Sequence, residues 1–433
     1  MTDHRIARVI GRRVWDSRGR PTVEADVILG DGTRGRAIAP AGASRGSREA
    51  VDLRDGGAAF GGLGVDRALE GIARRIAPAL SGMDVAGQPA IDARLEELDG
   101  TADFSRLGGN AAIAVSMAAL HASATAAGKP LWSLLAGDSR AALPMPMIQI
   151  FGGGAHAAQR LDLQDILMMP LRATRFDEAM AICAEVYRHA GLLMAEAGEL
   201  HGVADEGGWW PDFESNDAAL ERAVRAIERA GFRPGEDVAL ALDVAASEFC
   251  RNGRYHLEAD GVVLETDGMI SLIEAWCGRY PIVSVEDPLS EDDDAGMAEI
   301  TRRIGDRVQI VGDDYLVTSA GRINAAAKLS ACNAVLIKPN QAGTVTRTIA
   351  ALEAARQQGW RTVVSARSGE TEDTTIVHLA VGLGADQFKV GSFARSERMA
   401  KWNEGIRIEE AMGTAAGFAG RRGLFHNRDS LPG

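Results

Sequence analysis

The sequence predicts an α/β chain in which a C-terminal β/α barrel of the TIM type, residues 139–433, follows a smaller N-terminal α+β domain, residues 1–138. Three observations predict it. Short apolar runs that close on a charged residue and lead into a helical stretch recur through the second half: Val238 to Asp243, Ile282 to Glu286, Val308 to Asp313, Ala334 to Lys338, Thr362 to Arg367 and Gln387 to Lys389. The last five charged ends lie 22 to 29 residues apart, about what one strand, one helix and two loops require. Runs this continuously apolar suit a parallel sheet covered on both faces, and the lack of a glycine-rich dinucleotide loop favours a closed barrel over an open sheet.

The N-terminal unit reads differently. Thr22 to Leu29 alternates in period two, turns at Gly30-Asp31-Gly32 and returns from Thr33 to Ile38, a hairpin signal. Apolar residues recur at helical spacing from Val65 to Leu98 and from Asn110 to Ala127. Leu143-Pro144-Met145-Pro146-Met147 then punctuates the chain, near the expected domain boundary.

Composition narrows the partners. With 433 residues, 46% of them apolar, the chain can bury a large core. Its 47 Lys and Arg against 60 Asp and Glu give a net charge of −13, which repels nucleic acid and anionic membrane surfaces. Neither a secretory signal nor a membrane span is legible, and the four scattered cysteines form no C-x-x-C pair, so a reducing cytoplasm is expected. An anionic metabolite would then need a local cluster of cations or a metal ion.

In a barrel the strand C-termini meet at one mouth, so the charged ends form the candidate site. Asp243, Glu286 and Asp313 are three such ends. A single acid there also serves as a helix cap, but three in successive positions repel one another unless a divalent cation sits among them, and all-oxygen ligation suits Mg²⁺. Lys338 and Lys389 close apolar strands; each is either an ion-pair partner of the acids or a base whose pKa is lowered by a nearby cation and desolvation, and beside Mg²⁺ the second is favoured. Arg367 and Ser368 offer a guanidinium fork and a hydroxyl for a phosphate or carboxylate. Glu206, in Ala204-Asp205-Glu206-Gly207-Gly208, suits a general acid, although a solvated turn acid fits that segment equally well. His156 follows Gly152-Gly153-Gly154-Ala155; a lone loop histidine is more often solvated than catalytic. Metal, base and anion clamp together imply proton chemistry beside a carboxylate.

These segments resemble the enolase family. Asp16-Ser17-Arg18-Gly19-Arg20-Pro21, Asp205-Glu206-Gly207-Gly208, Leu242-Asp243-Val244-Ala245-Ala246-Ser247-Glu248, Ser284-Val285-Glu286-Asp287, Gly312-Asp313-Asp314, Arg367-Ser368-Gly369-Glu370 and Arg395-Ser396-Glu397-Arg398 follow the family's order over nearly the whole chain. The resemblance implies a capping domain on a barrel whose second strand is antiparallel, and Asp243, Glu286 and Asp313 on a tightly bound Mg²⁺. It implies Lys338 as the proton-transferring base and Glu206 as its acid/base partner, with Arg367 and Ser368 on a phosphate and Lys389 on a carboxylate. Ser44 would touch a second Mg²⁺ arriving with substrate, and His156 would close over the phosphate. A homodimer or higher homo-oligomer acting on a small phosphorylated substrate is implied as well.

Three departures stand out. Ala366 occupies the place of a histidine in Ser365-Ala366-Arg367-Ser368, Asp165 replaces a glutamate after Gln164, and Arg45 replaces a threonine in the loop Ala41-Gly42-Ala43-Ser44-Arg45-Gly46. Read together, they give room and positive charge for a larger anion, as in a carboxyphosphonoenolpyruvate synthase-like transfer that joins phosphonoformate to phosphoenolpyruvate and releases phosphate in phosphonate biosynthesis. The alternatives are a phosphopyruvate hydratase dehydrating 2-phosphoglycerate and, from another class, a non-catalytic binding protein on the same scaffold.

Overall fold

The period-two alternation near the N-terminus becomes an antiparallel sheet of β1 (Ile6–Trp15), β2 (Pro21–Leu29) and β3 (Arg34–Ile38) in that order. The structure, a computed structural model, describes residues 4–139 and 141–424; residues 1–3, Arg140 and 425–433 of the two expected domain spans lie outside them. Strand β1 was not legible because Arg8, Arg12 and Arg13 mask its pattern. Arg12 instead pairs across the sheet with Glu24 and Asp26. Val23, Ala25 and Val27 turn inward against a helical layer of α1 (Gln88–Asp99) and α2 (Gly109–Ala126). Helix α2 lies so close to β3 that a Cβ on Gly35 would fall 2.1 Å from the Ala118 carbonyl oxygen, so only glycine fits there.

The second half closes into an eight-stranded barrel. Its elements are β4 (Met145–Gly152), β5 (Asp165–Met169), α3 (Phe176–Ala197), α4 (Asn216–Arg229), β6 (Ala239–Asp243), α5 (Thr266–Arg279), β7 (Ile282–Glu286), α6 (Asp294–Ile304), β8 (Gln309–Gly312), α7 (Ala320–Leu329), β9 (Ala334–Ile337), α8 (Val345–Gln357), β10 (Arg361–Ser365), α9 (Thr375–Gly382), β11 (Gln387–Gly391) and α10 (Ser396–Met412). The strands pair in parallel except β5, which is antiparallel to both β4 and β6, as the resemblance implies. Met145, Met147, Leu167, Val311 and Leu336 fill part of the barrel interior, while a larger core lies between strands and helices.

The N-terminal domain docks on the barrel through a buried polar joint. Asp92 of α1 accepts hydrogen bonds from Ser116 Oγ at 2.6 Å and from Thr346 N and Oγ1 on α8 at 2.9 and 2.6 Å. Burial still pushes its carboxyl above the ordinary range.

Candidate active site

Each parallel strand delivers its last residues to the same mouth. Asp243 and Glu286 end β6 and β7, Asp313 and Lys338 follow β8 and β9, Arg367 and Ser368 follow β10, and Lys389 lies in β11. Asp165 arrives there for the opposite reason. It begins β5, and because β5 runs backwards its first residue lies level with Gly152 and Asp243. The capping domain supplies Gly42, Ala43 and Ser44. A cavity of about 20 Å³ is lined by Ser44, His156, Asp165, Glu206, Asp243, Lys338, Ala366, Arg367, Ser368 and Lys389. Glu286 and Asp313 reach it through the lysines they bind.

The two lysines divide the three expected acids. Lys389 Nζ lies 2.6 Å from Asp243 Oδ2 and 2.8 Å from Glu286 Oε2, and Lys338 is ion-paired with Asp313. Burial disfavours charge on Asp243, but Lys389 outweighs it and holds this carboxyl below its ordinary value. Glu286 goes the other way: burial, then repulsion from Asp243, lifts it well above the usual range despite Lys389. Of the two alternatives, the structure shows both lysines as ion-pair partners of the acids, with no lowering of the Lys338 pKa. Burial does act in that direction, yet the carboxylate of Asp313 overrides it and raises the ammonium's pKa.

A second group faces the first. His156 is buried rather than solvated, with Nδ1 2.8 Å from Asp165 Oδ1 and Nε2 3.6 Å from Glu206 Oε1. Burial opposes its charge, but Asp165 and Glu206 hold the imidazole pKa up at about 9. In return burial, the larger influence on Glu206, is overcome by His156, which keeps that carboxyl low; Asp165 stays raised by burial.

Residues of both domains meet at Arg367, one half of the expected anion clamp. Buried Arg367 donates to Glu49 Oε2 at 2.9 Å and to the Ser44 carbonyl at 2.9 Å. Arg398, fully buried, donates to the carbonyls of Arg367, Ser368 and Val390 and so braces the loop from beneath. Arg45 does not join them. Its side chain is 41% exposed and pairs with Asp52 at 2.9 Å, so the cation expected to meet an added anion faces away from the cavity.

Sequence reasoning passed over Glu49, Gln149, Asp287, Asp314 and Arg398. The doublets Glu286-Asp287 and Asp313-Asp314 were a usable signal: Asp287 accepts from the backbone N–H groups of Asp313 and Asp314 at 2.9 and 2.7 Å. Glu49 carried none, because its partner Arg367 is remote in sequence, and Arg398 stood only as the end of the segment Arg395-Ser396-Glu397-Arg398 with no role read for it.

The donor set fits a hard cation. Oε1 of Glu286 is buried without a hydrogen-bond partner, and its neighbours Asp243 and Asp313 offer only oxygen. In the structure the lysine ammoniums stand among these oxygens. Among the described residues, the groups whose ligand atoms all lie within 4.8 Å of one another are His156, Asp165 and Glu206, and Asp287, Asp313 and Asp314; the expected trio of Asp243, Glu286 and Asp313 is not drawn together that closely.

Comparison with known proteins agrees with this architecture. Residues 6–135 match the model for the enolase N-terminal domain, and residues 140–426 match that for the enolase C-terminal TIM barrel domain. The chain is similar to Enolase 1 of Desulfitobacterium hafniense (strain Y51), 47% identical over 428 residues that cover 98% of each chain. With two family models spanning nearly all of it, on a barrel whose second strand is reversed, this chain belongs to the enolase family.

Proposed function

We propose that this protein is a magnesium-dependent phosphopyruvate hydratase that removes water from 2-phosphoglycerate to give phosphoenolpyruvate. The observation that carries this reading is a single buried cavity holding both Lys338 and Glu206. Arg367 and Ser368 bind the phosphate, and Lys389 binds the carboxylate. Lys338 takes the proton from C2, the freed electron pair becomes the C2–C3 double bond, and the hydroxyl leaves C3 as water with a proton from Glu206. Protonated His156, at 3.6 Å, supplies Glu206 with the proton it hands on, and Asp165 holds the imidazole. Asp243, Glu286 and Asp313 would hold one magnesium ion and Ser44 would contact a second, which would supply positive charge for the substrate carboxylate and offset the anionic charge that now raises Lys338.

Ala366 and Asp165 favour a second reading, transfer of phosphonoformate onto phosphoenolpyruvate. The outward course of Arg45 and the relative named Enolase 1 support dehydration over it. One experiment separates them: pure protein with Mg²⁺ and 2-phosphoglycerate alone, then with phosphoenolpyruvate plus phosphonoformate. Enolpyruvate absorbance in the first tube is expected. Phosphate release that requires phosphonoformate, with a silent first tube, would overturn the hydratase reading, and silence in both would leave a binding scaffold.

Setting and assembly follow the same reading. None of the described helices is long and apolar enough to cross a membrane, and all four cysteines are free, in keeping with a cytoplasmic enzyme. Exposed Trp15 and Phe60, stacked edge-on with centroids 5.5 Å apart, support self-association into a homodimer or larger assembly.

A further inference from the structure

We infer that Gln149 is a positioning residue for the acid side of the site: its side-chain amide ties the carboxylate of Asp165 to the backbone turn that carries Glu206. This rests on the acid role proposed for Glu206. Gln149 is the lone polar side chain in β4, Met-Pro-Met-Ile-Gln-Ile-Phe-Gly, and is fully buried. An amide in that setting is costly unless both of its ends are bonded.

Both ends are. Nε2 donates to Asp165 Oδ1, the oxygen that also contacts His156, and Oε1 accepts from the backbone N–H of Gly208 at 2.7 Å. The orientation of the amide is forced, since the carboxylate can only accept and the Gly208 N–H can only donate. Gly208 lies two residues past Glu206, so the amide bridges β5 and the acid's own turn. Ser392 secures the same pair from behind: its Oγ donates to the Gln149 carbonyl and its N–H to the Glu206 carbonyl at 2.9 Å.

Two glycines leave the space that this side chain occupies. A Cβ on Gly208 would lie 2.4 Å from Gln149 Oε1, and one on Gly152 would lie 3.0 Å from Nε2. Asp165 is one methylene shorter than glutamate, and the reach of glutamine spans the gap that remains. Gln149 does not line the cavity, so it acts through Asp165 and Glu206 rather than on substrate.

The test uses three variants of the full chain: Gln149→Met, Gln149→Asn, and Gln149→Asn combined with Asp165→Glu. With 2-phosphoglycerate and Mg²⁺, both single variants should lose about 10- to 100-fold in kcat with KM changed less than about twofold. The double variant should regain most of the loss, because the methylene removed from the amide returns on the carboxylate. Hydrogen exchange read by mass spectrometry over residues 203–210 should quicken about tenfold or more in Gln149→Met, since Gly208 loses its acceptor. Unchanged kcat, an equal rise in KM, or a double variant no better than Gln149→Asn would overturn the inference. If Gln149→Met fails to fold, the Gln149→Asn pair decides. Wild-type protein inert toward 2-phosphoglycerate would defeat the assigned reaction instead; the tether is then judged by exchange alone, and unaltered exchange refutes it.

Discussion

Nδ1 of His156 lies 2.8 Å from Oδ1 of Asp165, and both groups are buried. That contact, with Glu206 on the other ring nitrogen, holds the imidazole pKa at about 9, above the ordinary histidine value of 6.5. A raised folded-state pKa contributes stability that is complete below the unfolded value and disappears as pH climbs through the folded one. The shift corresponds to roughly 3 kcal/mol at most. Thermal melts of wild type and His156→Gln from about pH 6 to about pH 10 should show a gap that narrows steadily between about 6.5 and 9. A gap independent of pH would refute the assignment.

Glu286→Gln tests the cation site. The acid carries a buried oxygen without a partner and is crowded by Asp243 and Asp313. Millimolar Mg²⁺ should raise the melting temperature of wild type by a few degrees, as mass action requires of anything bound to the folded state alone. The variant should lose that shift and nearly all turnover. An undiminished Mg²⁺ effect in Glu286→Gln would move the ion elsewhere.

Arg398→Met removes the donors to three buried carbonyls, those of Arg367, Ser368 and Val390. Urea unfolding should report a loss of about 2 to 4 kcal/mol, and the KM for the phosphorylated substrate should rise because the clamp loses its brace. Unchanged KM in a destabilised but folded variant would confine Arg398 to a packing role.

Gly42→Ala probes the contact between cap and clamp. A Cβ there would sit 1.9 Å from Arg367 Nη2 and 2.6 Å from the Ser44 carbonyl, so the loop must back away. Steady-state kinetics should show KM raised about tenfold or more, and the melting temperature should fall as well because Gly42 and Ser44 are buried against Arg367. An unaltered KM would mean the loop does not close on substrate.

Ala366→His, with Asp165 kept in place, addresses one departure from the family pattern. Ala366 lines the cavity beside Arg367, so an added imidazole meets the substrate directly. The rate of 2-phosphoglycerate dehydration should rise about tenfold or more, the usual scale of one positioned acid/base group. A fall would show that the present residue suits this site better than the common one.

What the sequence made legible follows from burial. Asp243, Glu286, Asp313, Lys338 and Lys389 stand out because strands covered on both faces are apolar until their last residue. Strands β4 and β5 do not, since Pro144 and Pro146 read as punctuation and a reversed strand carries its acid at the front. Gln149 hid because an amide has no charge to mark it, although one polar residue in an eight-residue apolar strand was a signal. Arg45 shows the opposite failure: its place in the loop was legible, but side-chain direction depends on Asp52, a contact that spacing does not encode.

The ion pair between Arg367 and Glu49 has a bearing on how the gene product could be divided. A barrel expressed by itself would strand a guanidinium in a dry setting with its counter-charge missing, and such a fragment should be both inert and prone to clump. Supplying the severed cap in trans should mend both defects at once, which makes the joint a natural place to build a split reporter.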